Sequence, residues 1–345
     1  MNYENLNIRS IPDLAKLPWF ESDERGIRLR RDAGIPPVID THTHLGFCYG
    51  FSARIDLKAK TPSVEYFFDY SLPQDILNNR HVSSPETAAA VDREMWWIML
   101  KRPPRAKTHT LPNLIDEMDR CGITRAVALP VEIPYWPRHS RHTLKTCRGQ
   151  DRVIPFASVH PLAPNPRERL AWFMSQGCKG TKYHPEFQFH PPDSPQALRF
   201  FGYCEEMGVV VLSHSGNTGA EPAWIQKLSA LSRFRVIFKR FPKLKFILGH
   251  AGIRSLDEAI AYSREFPNVY LETSGQPVPA LRKIFKETDS DKVMFGSDWA
   301  FYPIAVCLAH ALVSTEGRPE LREKYLHGNA TRLLGIELDC NTKYS

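Results

Sequence analysis

Apolar residues in this chain gather into eight short runs, each ending on a polar or small residue. They are PPVIDTHTH (36–44), RAVALP (125–130), VIPFASVH (153–160), GCKGTKYH (177–184), VVVLSH (209–214), KFILGH (245–250), VYLETS (269–274) and VMFGSD (293–298). Several are continuous rather than alternating, as strands buried on both faces are. Helical spacing fills the intervals: NLIDEMDRCGI before the second run, PRERLAWFMSQG before the fourth, SPQALRFFGYCEEMG before the fifth and SLDEAIAYSREFP after the sixth. Ser194 and Pro195 read as an N-cap and first helical position, and Ser255 and Glu258 stand at capping-box spacing. Eight strand–helix units predict an α/β fold of the (β/α)8 TIM-barrel type. A doubly wound open sheet is the alternative, but no G-x-G-x-x-G loop accompanies any run.

The interval between the first two runs, about residues 45–110, is too long for a simple connection. It carries aromatic clusters (Tyr66, Phe67, Phe68; Trp96, Trp97) and a helical pattern around 86–100, and is read as an insertion at the barrel mouth. Residues 1–35 are expected to form an N-terminal arm packed outside the barrel of residues 36–345, and 317–336 to supply closing helices.

Composition narrows the function classes. With 42% hydrophobic and 24% charged residues the chain reads as a soluble globular protein, and no apolar run is long enough to span a membrane. The first ten residues lack the pattern of a secretory signal. The seven cysteines are scattered, odd in number and contain no C-x-x-C, which suits reduced thiols and a cytoplasmic protein. The net charge of +7 does not form a stripe interleaved with aromatics, so a nucleic-acid partner is not expected. The densest basic stretch, RGIRLRR (25–31), reads as an amphipathic or solvated arm. The charge suits attraction of a small anionic substrate.

The polar residues fall in one place on this scheme. Run one ends in VIDTHTH, where His42 and His44 stand i, i+2 and share one face of a strand. Lys182 and His184 close run four, His214 run five, His250 run six and Asp298 run eight. All lie at the carboxyl ends of strands, the face on which barrel active sites are built. Imidazoles and a carboxylate are donor types that a divalent metal takes.

The ordered set H-x-H, K, H, H, D resembles the amidohydrolase superfamily. The strings GTKYHPEFQ, LSHSG, LGHAG and FGSDW resemble its amidohydrolase-related branch, which holds metal-dependent hydrolases and decarboxylases similar to aminocarboxymuconate-semialdehyde decarboxylase. The match runs over roughly residues 36–336. The resemblance implies that His42, His44, His214 and Asp298 bind one or two divalent ions, Zn²⁺ first and Mn²⁺ or Fe²⁺ as alternatives. Asp298 would also shuttle a proton, and His250 would polarise a carbonyl or stabilise developing negative charge. Lys182 is either a carbamylated bridge between two metals, an ammonium for a substrate carboxylate, or structural, and His184 shares its strand face. Glu272 is a weaker candidate for substrate contact or for support of a ligand histidine from behind, and Arg138, Arg141 and Trp299 are weaker candidates for substrate contact, Trp299 as a wall of the site; Arg254 is a possibility not relied upon.

Three functions follow. The first is metal-dependent hydrolysis of an amide, lactone or ester with Asp298 as general acid/base. The second is non-oxidative decarboxylation of an aromatic or unsaturated carboxylic acid at the same metal site. The third is a non-catalytic barrel, against which the full set of ligand types argues. The resemblance is compatible with a homodimer, though no residue here specifies one.

Overall fold

Every one of the eight apolar runs contains a strand in the computed structural model, which describes Tyr3, residues 6–47, 52–71, 73–78, 80–81, 104–133, 138–217 and 222–336, and Leu338. An amino-terminal hairpin pairs β1 (Phe20–Asp23) with β2 (Gly26–Leu29). The first barrel strand is β3 (Ile39–Thr43). A two-residue ladder of β4 (Gln74–Asp75) and β5 (Arg80–His81) follows in the insertion. The remaining barrel strands are β6 (Arg125–Ala128), β7 (Val153–Pro155), β8 (Gly180–Tyr183), β9 (Val210–His214), β10 (Phe246–Gly249), β11 (Val269–Glu272) and β12 (Val293–Met294).

Spatial order follows chain order. Parallel pairing gives β3-β6-β7 and β8-β9-β10-β11-β12. Single bridges, Ala157 to Thr181 and Thr43 to Trp299, join the two sheets into a closed ring. Backbone hydrogen bonds support both seams, from Lys182 N to Ala157 O (2.7 Å) and from Asp298 N to His42 O (2.7 Å). This is the (β/α)8 fold, with helices such as Leu111–Cys121, Pro166–Ser175, Pro195–Glu206, Leu256–Glu265, Val278–Glu287 and Ile304–Ser314 outside it.

The continuous apolar runs are explained by two cores. One parity of strand residues, including Ile39, Val127, Ile154, Phe156, Leu212, Ile247 and Met294, forms one cluster, to which the closing helix Asn329–Leu334 adds Leu333 and Leu334. The other parity, including Ala126, Val211, Leu248, Leu271 and Val293, joins a larger cluster shared with the surrounding helices. Ser194 caps its helix as read, its Oγ accepting from Ala197 N at 3.1 Å. The capping box at Ser255 does not form. Ser255 makes no side-chain cap, and Glu258 instead accepts from Tyr262 Oη. The left-handed backbone at His250, Ala251 and Ile253 brings the chain into this helix without the extended N-cap the box requires.

The RGIRLRR stretch is a paired hairpin rather than a free basic arm. Arg25 meets Asp116, Arg28 meets Glu21 and Asp23, and Arg30 meets Asp32. The insertion is stitched to the carboxyl end of the barrel, with Phe67 N donating to Ala300 O (3.1 Å) and Phe68 N to Phe301 O (3.3 Å). The pattern at 86–100, with Trp96 and Trp97, lies outside the described residues, as do Tyr135 and Trp136. Among the described residues no helix is long and apolar enough to cross a membrane, and the cysteines Cys121, Cys147, Cys178, Cys204 and Cys307 are buried and free.

Candidate metal centre

Strand β3 delivers His42 and His44 to the same point at the carboxyl end of the barrel, and the loop after β12 delivers Asp298. His42 Nε2 lies 3.2 Å from His44 Nε2, while Asp298 Oδ1 lies 3.3 Å from His44 Nε2 and 3.6 Å from His42 Nε2. Metal bonds of about 2.1 Å in a tetrahedron separate donors by about 3.4 Å, so the three spacings are those of a coordination shell. Lys182 Nζ completes the group, 3.1 Å from His42 Nε2.

The second nitrogen of each histidine decides what this cluster is. His42 Nδ1 lies 2.6 Å from Glu272 Oε2, and His44 Nδ1 lies 2.7 Å from Leu129 O. Both partners are acceptors, so the hydrogen-bond network assigns the proton to Nδ1 in each ring. Two Nε2 lone pairs and a carboxylate oxygen then point at one another, and Asp298 Oδ1 is buried without a hydrogen-bond partner among the described residues. Such an arrangement repels itself unless a cation lies between the donors. The residues therefore fit a divalent ion.

His214, the fourth ligand implied by the resemblance, is less closely gathered. It joins neither of the groups whose donor atoms all lie within 4.8 Å of one another, although it lines the same cavity. Its Nε2 is buried without a hydrogen bond among the described residues, 3.7 Å from Glu186 Oε2, and its ring stacks on His184 at 4.2 Å between centroids. His184 both lines the cavity and turns the chain after β8, its N–H donating to Gln188 Oε1 at 3.0 Å.

Burial sets the protonation states. His42, His184 and His214 are held well below the usual histidine range, first by burial and then by neighbouring cationic groups. His250 is pushed down to about 4 by burial, and burial lowers Lys182 to about 8 against the pull of Asp298 and Glu272. These rings are neutral at pH 7, the form in which imidazole binds metal.

Behind the cluster sits a polar brace. Glu272 is fully buried and accepts from His42 Nδ1, from Ser274 Oγ at 3.0 Å, from the His250 N–H at 3.2 Å and from the Ser274 N–H. Burial pushes its carboxyl upward, and the hydrogen bonds from Ser274 and His250 oppose the rise, so that it serves as the acceptor of the brace. Ser274 Oγ, having given its proton to Glu272, accepts from His250 Nδ1 at 2.9 Å. His250 is thereby left with Nε2 as an acceptor. Asp40 has a different task. Its carboxylate accepts from Ser297 N (2.9 Å), Ser297 Oγ (2.5 Å) and His42 N (3.1 Å). That clamp pins the loop in which Asp298 adopts a left-handed φ of 58°.

Above the cluster lies a cavity of about 270 Å³ walled by Phe47, Phe68, Phe187, Phe301 and Tyr302, with Lys182 and Arg254 as its cationic groups. Three of the weaker sequence candidates, Trp299, Arg138 and Arg141, stand elsewhere than expected, and Glu272 takes the second of the two places read for it. Trp299 does not wall the site: it is fully buried, its Nε1 donating to Glu117 Oε2 at 2.6 Å, and Phe301 takes its place. Arg138 is exposed and does not line the cavity, and Arg141 stacks over Trp172 at a separate cavity. Glu272 touches His42 from behind rather than facing the cavity. The sequence reading missed Glu186 and Ser274. Ser274 stands two residues beyond Glu272, a spacing that could have flagged it.

The chain matches the amidohydrolase family model over residues 39–336 and belongs to that family. It is an enzyme of the amidohydrolase superfamily, whose decarboxylases and hydrolases share its fold. A 5-carboxyvanillate decarboxylase of Novosphingobium aromaticivorans, solved with manganese and 4-hydroxy-3-methoxy-5-nitrobenzoic acid, superposes with a TM-score of 0.62 at 16% identity, covering 91% of this chain and all (100%) of that one. An uncharacterised TIM-barrel protein of Bordetella bronchiseptica gives 0.59 at 18% identity over 87% of this chain and 99% of its own. A probable 2-pyrone-4,6-dicarboxylic acid hydrolase of Acinetobacter baumannii with citric acid bound gives 0.55 at 14% identity over 87% and 100%. No curated protein matches the chain in sequence.

Proposed function

We propose that this enzyme decarboxylates a planar, aromatic or otherwise unsaturated carboxylic acid, with a divalent metal held by His42, His44 and Asp298 and faced by His214. The observation that carries the reading is the cavity: aromatic walls on several sides, Lys182 and Arg254 as cations, and the donor cluster among its lining residues. Phe47, Phe68, Phe301 and Tyr302 suit the faces and edges of a flat ring. Arg254 and Lys182 suit a carboxylate. The likeness to a decarboxylase solved with manganese and a nitrobenzoic acid supports both the substrate class and Mn²⁺ beside Zn²⁺ as the ion.

A bound cation would supply Lewis acidity, drawing electron density from substrate oxygens. The residues do the rest. The aromatic walls hold the ring, and Arg254 and Lys182 orient its anionic groups. His250, neutral with a free Nε2, takes a proton from a ring hydroxyl and returns it to the ring carbon that carried the carboxylate. The carbon–carboxylate bond breaks, its electron pair stays on the ring carbon, and CO₂ leaves. The hinge of this role is the Ser274–Glu272 brace, which fixes the His250 tautomer.

Hydrolysis of a carboxylated lactone or ester is the second reading, favoured by the buried, unpartnered Asp298 Oδ1 beside two imidazoles, a position suited to taking a proton from water. One assay separates the two. Metal-loaded enzyme is given hydroxybenzoic acids and carboxylated lactones in D₂O. Decarboxylation releases CO₂ and places one deuterium on the ring carbon; ring opening of a lactone with no CO₂ from any acid overturns the proposal in favour of hydrolysis.

A further inference from the structure

A second cavity of about 260 Å³ lies outside the barrel mouth and shares no lining residue with the first. Its walls include Glu132, Ser158, His160, Arg141, Arg169 and Trp172. Glu132, from the loop after β6, is only 2% exposed. Its Oε1 accepts from the Ser140 N–H at 2.7 Å, at the start of the helix His139–Cys147, whereas its Oε2 is buried with no hydrogen-bond partner among the described residues. A buried carboxylate oxygen left unmatched is costly, and a ligand donor would relieve it.

Besides Glu132, the charged groups of the cavity are the guanidinium groups of Arg141 and Arg169 and the exposed carboxylate of Glu168. Arg141 lies over the Trp172 ring, 4.6 Å from its centroid, and makes no ion pair among the described residues. Arg169 commits Nε to Pro164 O at 2.8 Å, and its charge is felt at Glu132. His160 has both nitrogens occupied, Nε2 by Gln188 O and Nδ1 by the Leu162 N–H, so it is a wall rather than a ligand. The floor is held by Ser158, whose Oγ accepts from Glu132 N at 3.1 Å.

We infer that this cavity binds a small carboxylate carrying an amino or hydroxyl donor on the adjacent carbon, with the carboxylate on Arg141 and Arg169 and the donor on Glu132 Oε2. The two guanidinium groups alone would accept any small anion; the unmatched Glu132 oxygen is what demands the donor. Trp172, half exposed at the rim, covers the ligand's apolar side.

Isothermal titration of the metal-loaded enzyme with glycine, L-lactate and propionate tests this. Glycine or L-lactate saturates one site per chain and binds at least tenfold more tightly than propionate, which lacks the donor. Glu132→Gln keeps an acceptor for the Ser140 N–H but presents an amide where Oε2 stood, and weakens binding at least tenfold. Arg141→Ala, at an exposed position, does the same and decides the matter should Glu132→Gln fail to fold. Arg254→Ala, in the metal cavity, leaves this binding unchanged. Absence of saturable binding by glycine and L-lactate, propionate binding as tightly as either, or loss of binding in Arg254→Ala alone would each overturn the inference.

Discussion

Asp298 concentrates the demands of the site on one residue. Its carboxylate faces two imidazoles, its N–H bonds His42 O across the barrel seam, and its backbone is held at a positive φ. Asp298→Asn keeps the size and loses the charge. The expected result is metal content near zero after dialysis and a loss of turnover on the order of a hundredfold or more, read by elemental analysis and by the CO₂ assay. Glu272→Gln acts one step back. The amide no longer guarantees an acceptor at His42 Nδ1, so metal affinity falls by about 10–100-fold while the fold survives; competition with a chelator measures it, and an unchanged affinity would remove Glu272 from the brace. At this scale the chemistry was legible where a strand carries the side chain and its periodicity fixes the direction, as for His42, Lys182 and His214, whereas His250 and Asp298 reach the same place from turns just past β10 and β12. Arg138 and Trp299 misled because loop side chains have no such periodicity, Arg141 because it stands on the helix His139–Cys147 beside another cavity, and Arg254 reaches the metal cavity only through the left-handed turn that precedes it.

At the scale of elements, the loop Gly296–Asp298 is a tight joint. A Cβ on Gly296 would stand 2.3 Å from Glu272 Oε1 and 2.9 Å from His42 Cβ. Gly296→Ala is therefore expected to cost about 2 kcal/mol or more and to lower metal occupancy together with stability; urea unfolding and metal analysis on the same sample check it, and a variant as stable as the parent would contradict the packing described. All eight strands were visible in the apolar runs because burial on both faces leaves no polar alternation to blur them. The failed capping box at Ser255 shows the limit: a local motif gives way when the preceding turn is committed to a site. The long interval after the first strand contributes Phe47, Phe68 and Asn78 to the cavity, and the hydrogen bonds of its Phe67 and Phe68 N–H groups to Ala300 and Phe301 are tertiary contacts that no local pattern encodes.

For the molecule as a whole, buried ionisable groups tie stability to pH in opposite senses. His139 is held down to about 4 by burial, against an ordinary value near 6.5. Its contribution is complete above pH 6.5 and is lost as pH falls through about 4, so relative to His139→Gln the parent loses up to about 3 kcal/mol across that window. Glu117 is raised to about 7 by burial, so its contribution is present in acid and is lost as pH rises through about 7. Urea midpoints of His139→Gln and Glu117→Gln, each compared with the parent from pH 4 to 7.5, should diverge with opposite slopes; parallel curves would contradict these environments. Metal should add to stability by mass action, about 4 kcal/mol at a thousandfold excess over Kd, read as a metal-dependent rise in Tm.

The seam at Thr43 and Trp299 closes the barrel, and the donors that meet there come from its two ends in sequence: His42 and His44 from its first strand, Asp298 from the loop after its last. During synthesis the two histidines emerge some 250 residues before the aspartate. A nascent chain can hold an ion loosely with the pair, but the full donor set exists only after the last strand has left the ribosome and docked. Capture of the ion is thus a late event that certifies a finished barrel.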